Sequence, residues 1–206
     1  MSPYVVHFTK ETNHSAYDNM LSILSAENIR ARNSFGLNRQ SRASRKSVCF
    51  SEIPLHFLSR LTETRGCYGI GFRKEFLVAR SGGPIMYAYK DTKHAKALRA
   101  LADRAANSPS DPIWEIAPFI DVPGSYGRKD YFFEWEREWR HVGHFKFQAS
   151  DAAFLVIPAD DHSVARDFFA DAESEQRGPN YTCPYIDPFW NADQVKQAFL
   201  VVESAS

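Results

Sequence analysis

The run Tyr131-Phe-Phe-Glu-Trp-Glu-Arg-Glu-Trp-Arg-His-Val142 restricts the fold of this chain more than any other stretch, because charged and aromatic residues alternate along it. With a period of two, Glu134, Glu136, Glu138 and Arg140 fall on one face and Trp135, Arg137, Trp139 and His141 on the other. With a period of 3.6, Trp135, Trp139 and Val142 form an apolar stripe, and Glu134 and Glu138 lie one turn apart. We read a strand. Aromatics dominate the run, and Val142-Gly143 leads into a second alternation, Phe145-Lys-Phe147, as a hairpin would. Such a strand sets three carboxylates on one face, where they repel unless something compensates them.

The remaining segments suit short strands with helices inserted between them. Tyr4-Val-Val-His-Phe-Thr9 is β-branched and aromatic and predicts a first strand. Capping residues at Asn13 and Ser15 then precede Tyr17, Met20, Leu21 and Leu24 at helical spacing. Ser47–Ser51 is a second strand candidate, and Leu55, Leu58 and Leu61 suggest a helix after Pro54. Gly66–Phe72 and Pro84–Tyr89 read as strands joined through a turn at Ser81-Gly-Gly-Pro84, and Asp91–Ala106 reads as a helix. The proline-rich connection that follows is pinned to the core by Trp114 and Phe119. Ala153–Pro158 predicts a strand and Ser163–Ala172 a helix. Gly178–Trp190 predicts an irregular aromatic loop, and Asp193–Val202 changes from helix-like to strand-like composition. The expected class is α+β, a short-stranded mixed or antiparallel sheet with inserted helices.

With 206 residues, 44% hydrophobic and 14% aromatic, one domain spanning residues 1–206 is expected. A formal charge of zero and a pI of about 7.1 give no global positive field toward nucleic acid or anionic lipid. Local charge is another matter: from Asn28 to Lys46, Arg30, Arg32, Arg39, Arg42, Arg45 and Lys46 occur without an acidic residue, as a basic loop suited to phosphate groups. A solvated loop with no ligand is the plainer reading. Cys49, Cys67 and Cys183 are odd in number and form no CxxC pair, which fits a reducing cytoplasm. Neither a leader-like segment nor a membrane-length apolar run occurs, so a cytosolic protein is expected.

Cys49-Phe-Ser-Glu-Ile-Pro-Leu55, Tyr68-Gly-Ile-Gly-Phe72, Pro84-Ile-Met-Tyr87 and Glu136-Arg-Glu-Trp-Arg140, in that order, resemble the abortive-infection AbiGi family of phage-resistance proteins over roughly residues 4 to 147. The resemblance implies a role in phage defence and a family commonly labelled antitoxin. The chain is also distantly similar to ADP-ribosyltransferase folds, which carry a His or Arg on the first strand, a Ser or Tyr motif on the second and Glu-x-Glu on a later one. This likeness implies NAD as substrate, an ADP-ribosyltransferase-like domain, and roles for His7, Ser51, Glu136 and Glu138. No Ser-Thr-Ser triplet is present, and the partner tyrosine would be Tyr68.

In that reading Glu138 is the principal carboxylate, stabilising positive charge as the glycosidic bond to nicotinamide breaks, and Glu136 assists by orienting or deprotonating the acceptor. His7 and Ser51 position the cofactor, Tyr68 stacks on it, and Arg39, Arg42 and Arg45 hold substrate phosphates. The acceptor is nucleic acid or protein. Plainer readings stand beside these. The glutamates pair with Arg137 or Arg140 on a surface strand, His7 is a core histidine, and Ser51 and Glu52 cap the helix that follows. His141 and His144, three apart, point to opposite faces of a strand, and no metal site is expected. A nuclease would need carboxylates around magnesium. The alternative to an enzyme is an antitoxin-like module that binds a toxin partner, with Pro179–Trp190 and the arginine loop as interface.

Overall fold

The computed structural model describes residues 2–37, 45–132 and 134–203. In chain order, strand β1 (Tyr4–Thr9) is followed by helix α1 (Ala16–Ala26), β2 (Asn28–Ile29), β3 (Ser47–Ser51), α2 (Ser59–Arg65) and β4 (Tyr68–Arg73). Next come α3 (Lys74–Ala79), β5 (Gly83–Pro84), β6 (Met86–Tyr87), α4 (Lys93–Arg104), α5 (Ile113–Ile116), β7 (Ile120–Asp121), β8 (Gly124–Tyr126) and β9 (Lys129–Tyr131). β10 (Glu138–Val142), β11 (Phe145–Lys146), β12 (Ala152–Val156), α6 (His162–Ser174), β13 (Tyr185–Ile186) and α7 (Ala192–Glu203) follow. The class is α+β with mixed strand pairing. No helix among the described residues is long and apolar enough to cross a membrane.

The chain divides into two compact units, the first made of Met1–Ile29, Glu52–Phe76 and Lys146–Ser206, the second of Arg30–Ser51 and Leu77–Phe145. This division also sorts the charge. The first unit holds nine Lys and Arg against sixteen Asp and Glu, a net of −7, and the second sixteen against nine, a net of +7. The zero total is therefore a cancellation between two strongly charged units, and an even field is not what this chain presents.

In the first unit the strand order is β13-β12-β4-β1. β4 pairs antiparallel with β1, from Tyr4 opposite Arg73 to Thr9 opposite Tyr68, and antiparallel with β12. β13 runs parallel to β12. Val6, Phe154 and Val156 meet Leu58, Leu61, Ile186 and Val195 in one apolar cluster, and each such side chain contributes about 1.5–3 kcal/mol when fully buried. Gly71 sits opposite Phe154 in the ladder, and a Cβ there would enter the Phe154 ring, so the glycine is required for close strand packing. α1 begins where Ser15 accepts a hydrogen bond from the Asp18 N–H at 3.0 Å, and it buries Met20 and Leu24.

Two stretches of this unit differ in local structure from the expectation. The stretch Pro179–Trp190 is anchored to the core and includes the short strand β13: Tyr181, Tyr185 and Ile186 are buried, the Tyr181 hydroxyl donates to Leu24 O at 2.8 Å, and Arg166 donates to Tyr181 O and Cys183 O. Those bonds satisfy an otherwise irregular backbone and anchor the proline-punctuated loop to the core, while Phe189 stays 65% exposed and Tyr185 and Trp190 line an open groove. α7 is helical to Glu203, because its apolar residues follow the helix period and the strand-like Val201-Val202 pair is too short to change it.

The second unit places β10 between β3 and β5, both antiparallel to it. α4 and α5 pack through Ala95, Ala102, Ile113 and Trp114 onto Ala88, Ala117 and Ile120. Trp114 donates from Nε1 to Ser108 O at 3.0 Å, so the proline-rich connection is anchored as its tryptophan suggested. The expected strand over Tyr131–Val142 holds only for Glu138–Val142. Glu134–Glu136 is a 3-10 turn closed by Arg137 N–H to Glu134 O at 3.1 Å, and Arg137 has φ +47°. That left-handed residue breaks the two-residue period, so Glu134, Glu136 and Glu138 do not share a strand face. The expected hairpin also fails, since the Phe147 N–H donates to Glu27 O at 3.0 Å. Where only a turn was expected after β4, α3 intervenes, and Pro84–Tyr89 contributes two-residue strands.

Candidate functional site

β10 aims Glu138 and Arg140 toward the same side, opposite Ser51 and Cys49 of β3. Arg140 is fully buried and donates from all three guanidinium nitrogens. Nε donates to Glu138 Oε1 at 2.8 Å, Nη2 to Glu138 Oε2 at 3.1 Å and to Asp121 Oδ2 at 2.7 Å, and Nη1 to Pro118 O at 2.6 Å. Phe35 lies beneath it, with the guanidinium carbon 4.8 Å from the ring centroid. Two tyrosines complete the group. The Tyr131 hydroxyl donates to Asp121 Oδ2 at 2.6 Å, and the Glu138 N–H donates to the Tyr87 hydroxyl at 3.2 Å. β7, its preceding turn and β10 thus hold one guanidinium directly, and β6 and β9 buttress them through Glu138 and Asp121.

The electrostatics follow from burial and two carboxylates around one cation. Burial opposes the Arg140 charge, yet hydrogen bonds and charge from Glu138, with Cys49 and Asp121, hold its pKa above the usual guanidinium range. Burial and the adjacent Glu138 push the Cys49 thiol well up, so it is no ready thiolate. Tyr87 is pushed up to about 12, chiefly by burial, and Tyr131 is raised by burial and by its bond to Asp121. Both Glu138 oxygens, Asp121 Oδ2 and all three guanidinium nitrogens have partners, and the cluster's evident capability is to lock β10 to β7 and β9.

The other nominated residues fall in several places. Glu136 is buried in the 3-10 turn, 2% exposed, and not on the β10 face that carries Glu138. Ser51 is Glu138's direct cross-strand neighbour. Neither Ser51 nor Glu52 caps the next helical turn, which starts at Pro54 without a side-chain cap; Glu52 instead pairs with Lys74 at 2.8 Å. His7 and Tyr68 belong to the first unit, with His7 opposite Ile70 on β4 and Tyr68 two residues before it. The Tyr68 hydroxyl donates to Asp161 at 2.7 Å and its ring packs 5.3 Å from that of Tyr17. Burial, followed by the Asp161 bond, raises its pKa. Arg45 forms a two-bond pair with Glu115, exposed on both sides, while Arg39 and Arg42 lie outside the described residues. His144 accepts from the Ala31 N–H at 3.0 Å, and no trio of His, Cys, Asp or Glu among the described residues is arranged for a metal ion.

Asp121, Tyr131 and Tyr87 were not anticipated. Their signal is absent from local periodicity, since Asp121 sits in a proline-rich connection and Tyr87 in a two-residue strand. Arg140 was visible as a possible partner of Glu138, two residues away, although the pair is buried and not on a surface strand.

No curated protein and no solved structure matches this chain, so the ADP-ribosyltransferase likeness has no structural neighbour behind it. Residues 18–110 match the family described as "Putative abortive phage resistance protein AbiGi, antitoxin". The matched segment contains the Cys49–Leu55, Tyr68–Phe72 and Pro84–Tyr87 motifs and stops short of Glu136–Arg140. Over those residues the chain is similar to the AbiGi family of phage-resistance proteins.

Proposed function

We propose that this chain serves phage resistance as a non-enzymatic, antitoxin-like module that binds and neutralises a partner protein. The observation that carries the reading is the state of Glu138. Both of its oxygens accept from a fully buried arginine, which Asp121 and Pro118 O hold in turn. A carboxylate whose charge is already compensated adds little field for a developing cation. The antitoxin wording of the matched family points the same way.

We assign the partner's face to the first unit. A groove of about 380 Å³ lies between α6 and α7, lined by His162, Arg166, Tyr185, Trp190, Gln197 and Ala198 among others. It has the size of an anchor site and mostly apolar walls, on a unit of net charge −7. Its occupant is an apolar side chain of a basic partner protein, with charge drawing the two together and the groove seating the anchor.

A second reading keeps the NAD-dependent transferase, with Glu138 as the principal carboxylate beside Ser51 and the acceptor nucleic acid or protein. It draws on one observation: Glu138 directly opposes Ser51 and keeps 14% of its side chain exposed. NAD consumption by the purified chain, with cellular RNA, DNA and protein as acceptors, separates the two. The binding module leaves NAD untouched. Turnover by the wild type that vanishes in a folded Glu138→Gln variant overturns it. In co-expression with the neutralised partner, Ala198→Trp fills the groove and should abolish protection without changing the far-UV circular dichroism.

A further inference from the structure

The basic excess of the second unit has a definite location. Leaving out Arg39 and Arg42, the unit still carries a net of +5. α4 is the element that displays much of it. Ala95, Leu98 and Ala102 pack this helix onto the core beside Ile113 and Trp114. At 100° per residue, Lys93, Lys96, Ala97, Ala100 and Arg104 come round to the opposite side, and all five are exposed. The three cations are spread over roughly 16 Å of helix, with alanines between them that let an extended ligand lie close.

Helix stability accounts for Arg104, which lies in the last turn where the dipole favours a cation, but not for the two lysines. The first turn contains no acidic residue and carries Lys93 and Lys96, where the helix dipole favours Asp or Glu. Thr92 already caps the end by accepting from the Ala95 N–H. The lysines therefore oppose the dipole of the helix they occupy.

Exposed aromatic rings adjoin the same end of α4. Tyr89, Lys90 and Asp91 precede the cap, with Lys90 Nζ 4.0 Å from the Asp91 carboxylate, and the Thr92 hydroxyl donates to Tyr89 O at 2.6 Å. Lys90 Nζ stands 4.8 Å from the Tyr126 ring centroid and donates to Ser125 O at 2.7 Å. The Tyr89 and Tyr126 side chains are 46% and 44% exposed. A row of cations continued by two partly exposed rings, Tyr126 with Lys90 against it and Tyr89 hydrogen-bonded to Glu134, matches a single-stranded nucleic acid, which offers phosphates to the first and base faces to the second. An acidic protein surface would satisfy the cations alone.

We propose that the second unit binds single-stranded nucleic acid, with phosphates along Lys93, Lys96 and Arg104 and bases stacked on Tyr89 and Tyr126. This goes beyond the partner-protein reading and does not depend on it.

Fluorescence anisotropy of the full chain with labelled 20-nucleotide oligouridine and oligothymidine, from 50 to 200 mM salt, tests it. Binding should weaken linearly in log–log form as salt rises. Lys93→Glu/Lys96→Glu/Arg104→Glu should weaken it at least about tenfold and flatten the salt slope by about 2, at roughly 0.7 per phosphate contact on a single strand. Tyr126→Ala should weaken binding about tenfold with the slope unchanged. Circular dichroism checks that each variant is folded. No binding to either oligomer at 50 mM salt, or equal affinity and slope in the triple variant, overturns the proposal. Tighter binding to a duplex of the same sequence overturns the stacking assignment. Concentration-dependent self-association that the triple variant abolishes, without oligonucleotide binding, gives the basic face to the acidic unit of a second copy instead.

Discussion

Arg140→Met is the substitution that tests the central cluster most directly. Methionine approximates the length of the arginine stem but donates nothing, so four hydrogen bonds are lost at once: two to Glu138, one to Asp121 and one to Pro118 O. What remains is a pair of carboxylates, 14% and 10% exposed, facing one pocket without a cation. Removing one partner of a buried ion pair costs about 3–5 kcal/mol. The lower end applies, since both carboxylates keep some solvent and Asp121 keeps the Tyr131 hydroxyl. A loss of about 3 kcal/mol corresponds to a melting-temperature fall of about 6–12 °C in a chain of this size, or about 1.5 M in urea midpoint at an m-value of about 2 kcal/mol/M. Glu138→Gln should cost less, about 1–2 kcal/mol, because glutamine retains an acceptor and Asp121 stays paired. Arg140→Lys should fall near Arg140→Met, since a single ammonium does not span the fork. Urea unfolding followed by circular dichroism at pH 7 measures all three. A loss below about 1 kcal/mol in Arg140→Met, or a larger loss in Glu138→Gln than in Arg140→Met, refutes the reasoning.

Three further outcomes are expected. Tyr87 is pushed up to about 12 from an ordinary 10, and Tyr68, Tyr131 and Tyr185 are also raised, burial being the largest cause for each; the unfolded chain releases these protons first, so stability is whole below pH 10 and falls as pH rises through the folded values. Absorbance at 295 nm should then show these tyrosines ionising together with loss of ellipticity, and ionisation with ellipticity intact would count against their burial. His141 is lowered from 6.5 by burial and by the charge of Arg80, so its contribution is whole above pH 6.5 and lost as pH falls; urea midpoints between pH 7.5 and 5 should decline less in His141→Phe, and parallel declines would dismiss the effect. Gly71→Ala drives a methyl into the Phe154 ring and should cost about 1–3 kcal/mol, whereas Gly83→Ala, with nothing near its Cβ position, should be close to neutral; equal melting temperatures for the two would refute the packing account.

Local elements were readable where one physical signal dominated. β1, β3, β4 and β12 have dense β-branched or aromatic runs, and α1, α4 and α6 have caps or sustained periodicity; each lies near its expected place. The failures came where two signals competed. At Glu134–Arg137 the alternation of charge and aromatic residues obeyed a strand period, but Arg137 took a left-handed conformation and turned the chain. At Pro179–Trp190 prolines and aromatics read as an irregular loop, yet Arg166 satisfied two of its carbonyls, and Tyr181 and Tyr185 are buried in the core. Of the candidate site, Glu138 and Ser51 were named through a resemblance and Arg140 as a partner for the glutamates, while the pairing of β3 with β10 that makes Ser51 and Glu138 neighbours was not legible. The roles of Asp121, Tyr131 and Tyr87 were not, because residues up to 53 positions from Arg140 meet it only after folding.

What the sequence by itself determined is the class of structure, the short strands and capped helices, the likeness to phage-resistance proteins and the presence of opposed charges in equal number. Those follow from propensity, periodicity and composition, which act between near neighbours or over the whole chain at once. Only the tertiary structure decided that the charges separate into units of +7 and −7, and that the glutamate expected to be reactive is clasped by a buried arginine. Both depend on which distant segments share one unit, a matter of long-range packing that no local pattern encodes.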